Sequence, residues 1–359
     1  MSAARDTPPP NATPDAIPDA IITRRADAAA TPRSRRPASG GIGWIGAIVF
    51  GVLALACFGS LPWTFAVVTP PGQPPLRRFE RGNLELSLLP PSWSGLDETT
   101  ARKLERARAS GAYVPSRLLG TDRSGRDVLA RCLAGGAISL TVGVSAAFIA
   151  VLIGTSYGAF SGYRGGRTDA AMMRIVDILF GLPTILLVVL LAVAVDGRLS
   201  AWRGSMPPAL RQAIELLTLL VAIGGVSWLT MARVIRGQVL SLKALPFIEA
   251  ARAVGVPPTR VFVRHLLPNL IGPIAVYATL AVPAAILSES FLSFLGIGIR
   301  EPLPSWGNLA ADGLSELNAV SARWWLLVPP CVLIGAALLA LNLLGDALRE
   351  RFDPLRGKA

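Results

Sequence analysis

Apolar residues along this chain gather into long runs separated by polar interruptions, and the runs are long enough to predict membrane helices. They cover about Gly41 to Val68, Ala137 to Tyr157 and beyond, Ile175 to Val195, Ile214 to Met231, Ile271 to Phe294, and Trp324 to about Leu344. Trp44 and Trp63 bracket the first run, and the helix between them measures about 28 Å, close to the hydrocarbon thickness. Trp324 and Trp325 anchor the start of the last in the same way. The pattern predicts an all-α integral membrane protein of about six spans. The predicted divisions are a disordered tail at 1–40, a first span at 41–68, a polar connection at 69–133, a membrane core at 134–346 and a second tail at 347–359. Within the second run, Gly154, Gly158 and Gly162 recur every four residues, which lets a neighbouring helix approach closely. The third run contains Pro183, and Asp177 near its start is expected to pair with an arginine.

The polar interruption within the core, 246–268, is itself patterned. Phe247, Ala250, Ala251 and Val254 fall on one side of a short helix, with Glu249 and Arg252 pointing elsewhere. Gly255 suits a helix stop, because glycine takes the left-handed conformation without steric cost. Pro257 and Pro258 then open a second short helix predicted to end near His265, and Pro268 starts the next apolar run. Arg252, Arg260 and Arg264 give this hairpin a basic outer surface.

Charge sets the expected sidedness. Arg33, Arg35 and Arg36 precede the first run, and Arg164, Arg167 and Arg174 follow the second, so these ends and both termini are expected in the cytoplasm. The 69–133 connection carries Arg77, Arg78, Arg81, Arg102, Lys103, Arg106 and Arg108, against that rule. Long loops translocate largely regardless of charge, and it is expected outside. A secretory leader, or a lipoprotein site at Ala54-Leu55-Ala56-Cys57, is disfavoured because the run is too long and continues past the cysteine.

With 52% hydrophobic and 16% charged residues, the composition fits membrane rather than soluble chains, and a net charge of +12 fits anionic lipid and orientation. Four Tyr and no basic-aromatic interleaving argue against nucleic acid. Cys57, Cys132 and Cys331 have no metal spacing, and the lone His265 offers no multi-histidine site. No phosphate-cradling GxxxxGK[ST] stretch is present, so a cofactor such as ATP with Mg is expected on other chains.

Three stretches carry a family resemblance. Glu249, Ala250 and Ala251, followed by Gly255 and then Leu267-Pro268, resemble the EAA loop of ABC importer membrane subunits, with His265 where the family usually has Ile. Gly120, Thr121, Asp122, Gly125, Arg126, Asp127 and Arg131 match the GTDxxGRDxxSR signature of dipeptide and oligopeptide permeases, with Ala130 replacing Ser. Elementary chemistry also reads that stretch as a capped helix start, with Thr121 or Ser124 as cap and Asp122 and Asp127 at the positive end. Glu289, Phe294, Gly296 and Gly298, then Pro304, Ser305 and Trp306, resemble the AILxEAxLSFLGLG and PxPSWG signatures, with Ser290 in place of Ala. Glu289 is open to two readings, pairing with a partner's polar group or contacting substrate. The ending GDALRERFDPL is similar to the family's GDxLRDxLDPR.

The resemblance implies a type I (MetI-like) permease fold in a bacterial inner membrane. It also implies half of a pathway shared with a homologous permease, two ABC ATPase subunits or domains inside, and an extracytoplasmic binding protein that delivers peptides. The EAA residues would couple the permease to the ATPases, and the chain itself would be non-catalytic. A channel or secondary transporter working without an ATPase is the competing reading; such proteins place ionisable groups near the bilayer midplane, whereas Asp177, Glu215 and Glu289 lie near run ends. A scaffold is a third, and has no need of a coupling segment.

Overall fold

The computed structural model describes residues 40–69, 74–95, 97–203, 207–317 and 322–352. The predicted N-terminal tail lies outside them except for Gly40, which already begins the first helix. The first helix, α1 (Gly40–Gly59), ends earlier than its apolar run. A separate turn at Leu61–Thr64 follows, because Pro62 has no N–H to continue the ladder and fits only the start of a new helix. The remainder of the predicted span, Val67–Val68, is instead strand β1, paired antiparallel with β2 (Leu76–Arg77).

The 69–133 connection, expected only as a polar loop, carries a small core of its own. Helix α2 (Glu98–Ala109) turns Leu104 and Ala107 inward onto Leu86 and Leu89. Helix α3 (Val128–Arg164) follows, and its length of about 55 Å exceeds the bilayer core.

The third apolar run is not one helix. Helices α4 (Gly166–Phe180) and α5 (Thr184–Arg203) meet at 89°. Pro183 removes a backbone donor and drives Leu182 out of helical conformation, while Gly181 caps α4. The Pro183 carbonyl instead accepts the Leu187 N–H at the start of α5.

Helix α6 (Pro208–Lys243) leads through a two-residue link to α7 (Pro246–Ala253). A helical turn at Pro258–Val261 widens into a π segment at Phe262–Leu266 and runs on into α8 (Leu267–Phe294). The expected second short helix ending near His265 is therefore the foot of the fifth span. Pro268 is absorbed there: the Leu267 N–H reaches back five residues to Phe262, and the Asn269 amide donates to the His265 carbonyl at 2.6 Å. Helix α9 (Trp306–Ser315) opens with a Ser305/Asn308 capping box. Helix α10 (Trp324–Phe352) runs on past the boundary expected at 346, since Ala347 to Phe352 contain no breaker.

Among the described residues, five helices are long and apolar enough to cross a membrane, and the bent α4–α5 pair brings the number to as many as six. Their outward sides stay apolar, as at Leu55, Phe148, Leu190 and Leu339, which suits contact with lipid rather than water. The most extensive pairing is α3 with α6. The glycine repeat makes it: a Cβ at Gly154 would sit 2.5 Å from Met231 Cβ, one at Gly158 would run into the Ala232 backbone, and one at Gly162 would lie 3.0 Å from the Arg236 carbonyl oxygen.

Candidate functional site

The signature residues fall in two places at opposite ends of α8, which is about 40 Å long.

At the α7 end, the chain reverses through a Schellman turn. Gly255 has φ +81°, its N–H donates to the Arg252 carbonyl, and the Val256 N–H donates to the Ala251 carbonyl. Ala251 and Val256 also meet in the small core that fixes the hairpin, where Ile248, Val261 and Leu266 are fully buried. Tyr163, from the end of α3, donates to the Pro258 carbonyl at 2.6 Å and packs on Phe262. Lys243 donates to the carbonyls of Gly162 and Tyr163, capping α3.

That core holds only one residue of α7 completely, Ile248. The apolar side read from the sequence mostly faces outward: Phe247 and Ala250 are exposed, Val254 is 85% exposed, and Ala251 is half-buried. Glu249 is exposed in the first turn of α7, where the helix dipole favours a negative charge. Leu267 and Pro268 are exposed at the foot of α8. An exposed apolar strip on a rigid, basic hairpin is a surface shaped for a partner.

Behind the hairpin, α6 is tied to α4 by two ion pairs. Asp169 takes both Arg236 nitrogens at 2.6 Å and a hydroxyl from Ser161 at 2.5 Å. Asp177 pairs with Arg233 at 2.8 Å, the arginine pairing anticipated for it, and that guanidinium lies over the Phe180 ring. Asp169 and Ser161 escaped the sequence reading because their partners lie on other helices.

At the other end, the GTD signature and the Glu289–Trp306 signatures form one body. The helix cap is Asp127, which accepts from the Leu129 and Ala130 N–H groups; Thr121 and Ser124 do not cap. Thr121 donates to the Leu86 carbonyl and accepts from Leu89 N–H, stitching the 69–133 connection to the start of α3. Asp122 accepts from the Ser124 and Arg126 N–H groups and pairs with Arg131. Gly120 (φ +83°) and Gly125 (φ +67°) sit in left-handed turns, and any Cβ at Gly125 would strike the Asn83 backbone. Arg126 and Arg131 also hold Glu301, each at 3.1 Å, a residue the motif reading had passed over.

Glu289 is fully buried, and its partners belong to this chain rather than to another subunit. Ser293 donates to it at 2.8 Å, Ser290 at 3.3 Å, and the Ser139 and Ser305 hydroxyls join them. Three of these serines accept a backbone N–H, from Trp306, Ile299 and Asn308 respectively for Ser139, Ser293 and Ser305. Each hydroxyl proton is thereby free to point at the carboxylate. Trp306 is fully buried and donates to the Cys132 carbonyl at 3.0 Å, and Pro304 is buried beside it. Gly298 is required where the chain folds back onto Ser293, Gly296 has φ +76°, and Phe294 stays exposed at the helix end.

Outside the membrane, Glu316 accepts from both Arg123 and Arg323. Burial pushes its carboxyl up, but the two guanidiniums outweigh that and hold it below the usual range. Among the described residues, no group of three or more His, Cys, Asp or Glu side chains is placed to hold a metal ion.

Known proteins resemble this chain in sequence. The family described as "Binding-protein-dependent transport system inner membrane component" matches residues 150–358. The oligopeptide transport system permease protein OppC of Escherichia coli is 48% identical over 235 residues, 66% of this chain and 71% of that protein. OppC of Haemophilus influenzae is 46% identical over 235 residues, covering 66% and 69%. The dipeptide transport system permease protein DppC of Bacillus subtilis is also 46% identical over 235 residues, covering 66% and 68%.

Proposed function

Since the chain belongs to the family of binding-protein-dependent transport system inner membrane components, we propose that it forms half of a pathway carrying dipeptides or oligopeptides into the cell, driven by ATP hydrolysed on other subunits. The observation that carries the coupling part is the hairpin: a rigid, Schellman-stopped helix whose apolar strip is turned away from its own core. In this reading both termini and the hairpin face the cytoplasm, α7 sits in a groove of an ATPase subunit, and a homologous permease completes the pathway. A binding protein delivers cargo at the outer cap. Glu249 contacts the ATPase, Ala250 and Ala251 permit close approach, and Gly255 makes the bend. Closure of the ATPases moves α7, and the short link to α6 passes that movement to α4 and α5 through the Arg236–Asp169 and Arg233–Asp177 pairs. Neither nucleotide nor Mg is assigned to this chain. The peptide cargo rests on what the relatives are named for.

The test is uptake of labelled di- and tripeptides into proteoliposomes holding the complete complex and its binding protein. Import that requires ATP and is lost with Gly255→Pro supports the reading. Import without an ATPase subunit overturns it.

A further inference from the structure

A groove of about 990 Å³ opens between the hairpin-side ends of α3 and α8. Its walls are apolar: Ala159 and Phe160 from α3 face Phe262, Val263 and Leu267 at the foot of α8, and Phe160 and Val263 are 49% and 60% exposed. Both walls continue upward into membrane spans. Its rim carries three cations, Arg164, Lys243 and Arg252. Among the described residues none of the three has a carboxylate partner, while Arg233 and Arg236 a few residues away on α6 are both paired. Lys243 and Arg252 lie close enough to repel each other, and Asp169, whose field reaches Lys243, is already held through both oxygens by Arg236.

The donors are also poised. Lys243 spends two of its three ammonium protons on the carbonyls of Gly162 and Tyr163 and keeps one. The Arg164 guanidinium reaches back one turn to lie 5.7 Å from the Phe160 ring centre, between the rim and the apolar wall. Above it, Thr155 lines the groove with a buried hydroxyl that has no partner. Convergent unpaired cations beneath an apolar channel, with a hydroxyl lacking an acceptor part-way up, match a phosphate, a glycerol ester and an acyl chain stacked in that order.

We propose that this groove binds one anionic phospholipid, its phosphate held by Arg164, Lys243 and Arg252, so that the lipid clamps α7 to the end of α3. The inference needs only a membrane-embedded chain, not the peptide cargo or the ATPase. Lipid binding would set how firmly α7 is joined to the core, and on the coupling reading proposed above it would also make the transport stroke depend on bilayer composition.

The experiment is native mass spectrometry of the delipidated complex titrated with phosphatidylglycerol, with phosphatidylcholine of the same chains, and with glycerol phosphate. Phosphatidylglycerol is expected to bind and the other two not. The pair Arg164→Gln and Arg252→Gln should weaken it about tenfold or more, since each removes a charge-assisted contact. The pair Arg349→Gln and Arg351→Gln, on α10, should leave it unchanged. A photoactivatable phosphatidylglycerol on the unmutated complex should label peptides containing Phe160 or Val263, a readout that survives if a variant fails to assemble. Equal binding of both lipids, glycerol phosphate binding as tightly as the lipid, labelling elsewhere, or cross-linking of Val263→Cys to a second protein chain would each overturn the proposal. Transport is not read, so its failure is separate from failure of the peptide-import reading.

Discussion

Gly255 illustrates how much one residue's backbone carries. A Cβ there would meet nothing within 4 Å, so its role is conformational and not a matter of space. Forcing an ordinary L residue into that left-handed turn costs about 1–2 kcal/mol, and Asn less. Gly255→Ala should therefore lower import per ATP hydrolysed, Gly255→Asn should lower it less, and Gly255→Pro, which also loses the N–H bond to Arg252, should abolish it. Paired import and phosphate-release assays on one preparation check the order, and Ala performing as well as Gly would refute the role. At the far end of α8, Glu289→Ala leaves serine hydroxyls without an acceptor, at roughly 1–3 kcal/mol each. Glu289→Gln keeps an acceptor oxygen, so thermal melts of the solubilised complex should rank the native protein above Gln and Gln above Ala. Glu316 supplies the pH dependence. Its carboxyl is held below the usual value of 4.5, so its stabilisation is present above that value and is lost as pH falls through the lowered one. Glu316→Gln should melt lower at neutral pH, with the gap closing in acid; a constant gap would contradict the assignment.

Among the elements, α3 and α6 show which features a sequence reveals. The four-residue glycine interval was readable because it is local and periodic, and the structure uses it as the helix–helix seam. It also ranks substitutions. Gly158→Ala would press on the Ala232 backbone, which cannot move aside, whereas a Cβ at Gly162 meets neighbours at 3.0 Å that need yield only a few tenths of an ångström. Gly158→Ala should cost about 1–3 kcal/mol and Gly162→Ala under about 1; melting of the purified complex tests the order. The third span was only half readable. Pro183 marked a place where a helix could break, but the 89° bend also has α4 held against α6 by Asp169 and Asp177, whose arginine partners are more than fifty positions away. The hairpin shows a similar division. Its stop at Gly255 was plain, whereas the continuity of Pro258 through Pro268 into α8 depends on a wide turn that no spacing announced.

Across the whole molecule, signatures far apart in the chain meet as two bodies. The GTD stretch, Glu289 and the PSWG stretch close over one another at the end of α8 away from the hairpin, through Trp306 to Cys132 and Arg131 to Glu301. Their membership is legible in the motifs but their meeting is not, because Ser139 and Glu301, which join them, stand outside any motif. Most of these residues are built as architecture: Asp127, Arg131, Glu289 and Trp306 are buried and hydrogen-bonded or ion-paired within the chain. The EAA hairpin is the contrasting body, with its apolar strip left uncovered. The two together describe a transport subunit with a closely packed cap at one end and an uncovered apolar strip at the other.

The most direct measurement of that connection is site-specific cross-linking from Val254→Cys, in a Cys331→Ser background, within inverted membrane vesicles. The account predicts a disulfide to an engineered cysteine in the ATPase groove, formed in native membranes and accompanied by loss of ATP-driven import until reduction restores it. A Val254→Cys that reacts only with reagent confined to the outer side of the membrane, or a complex that imports at full rate while cross-linked, would contradict it.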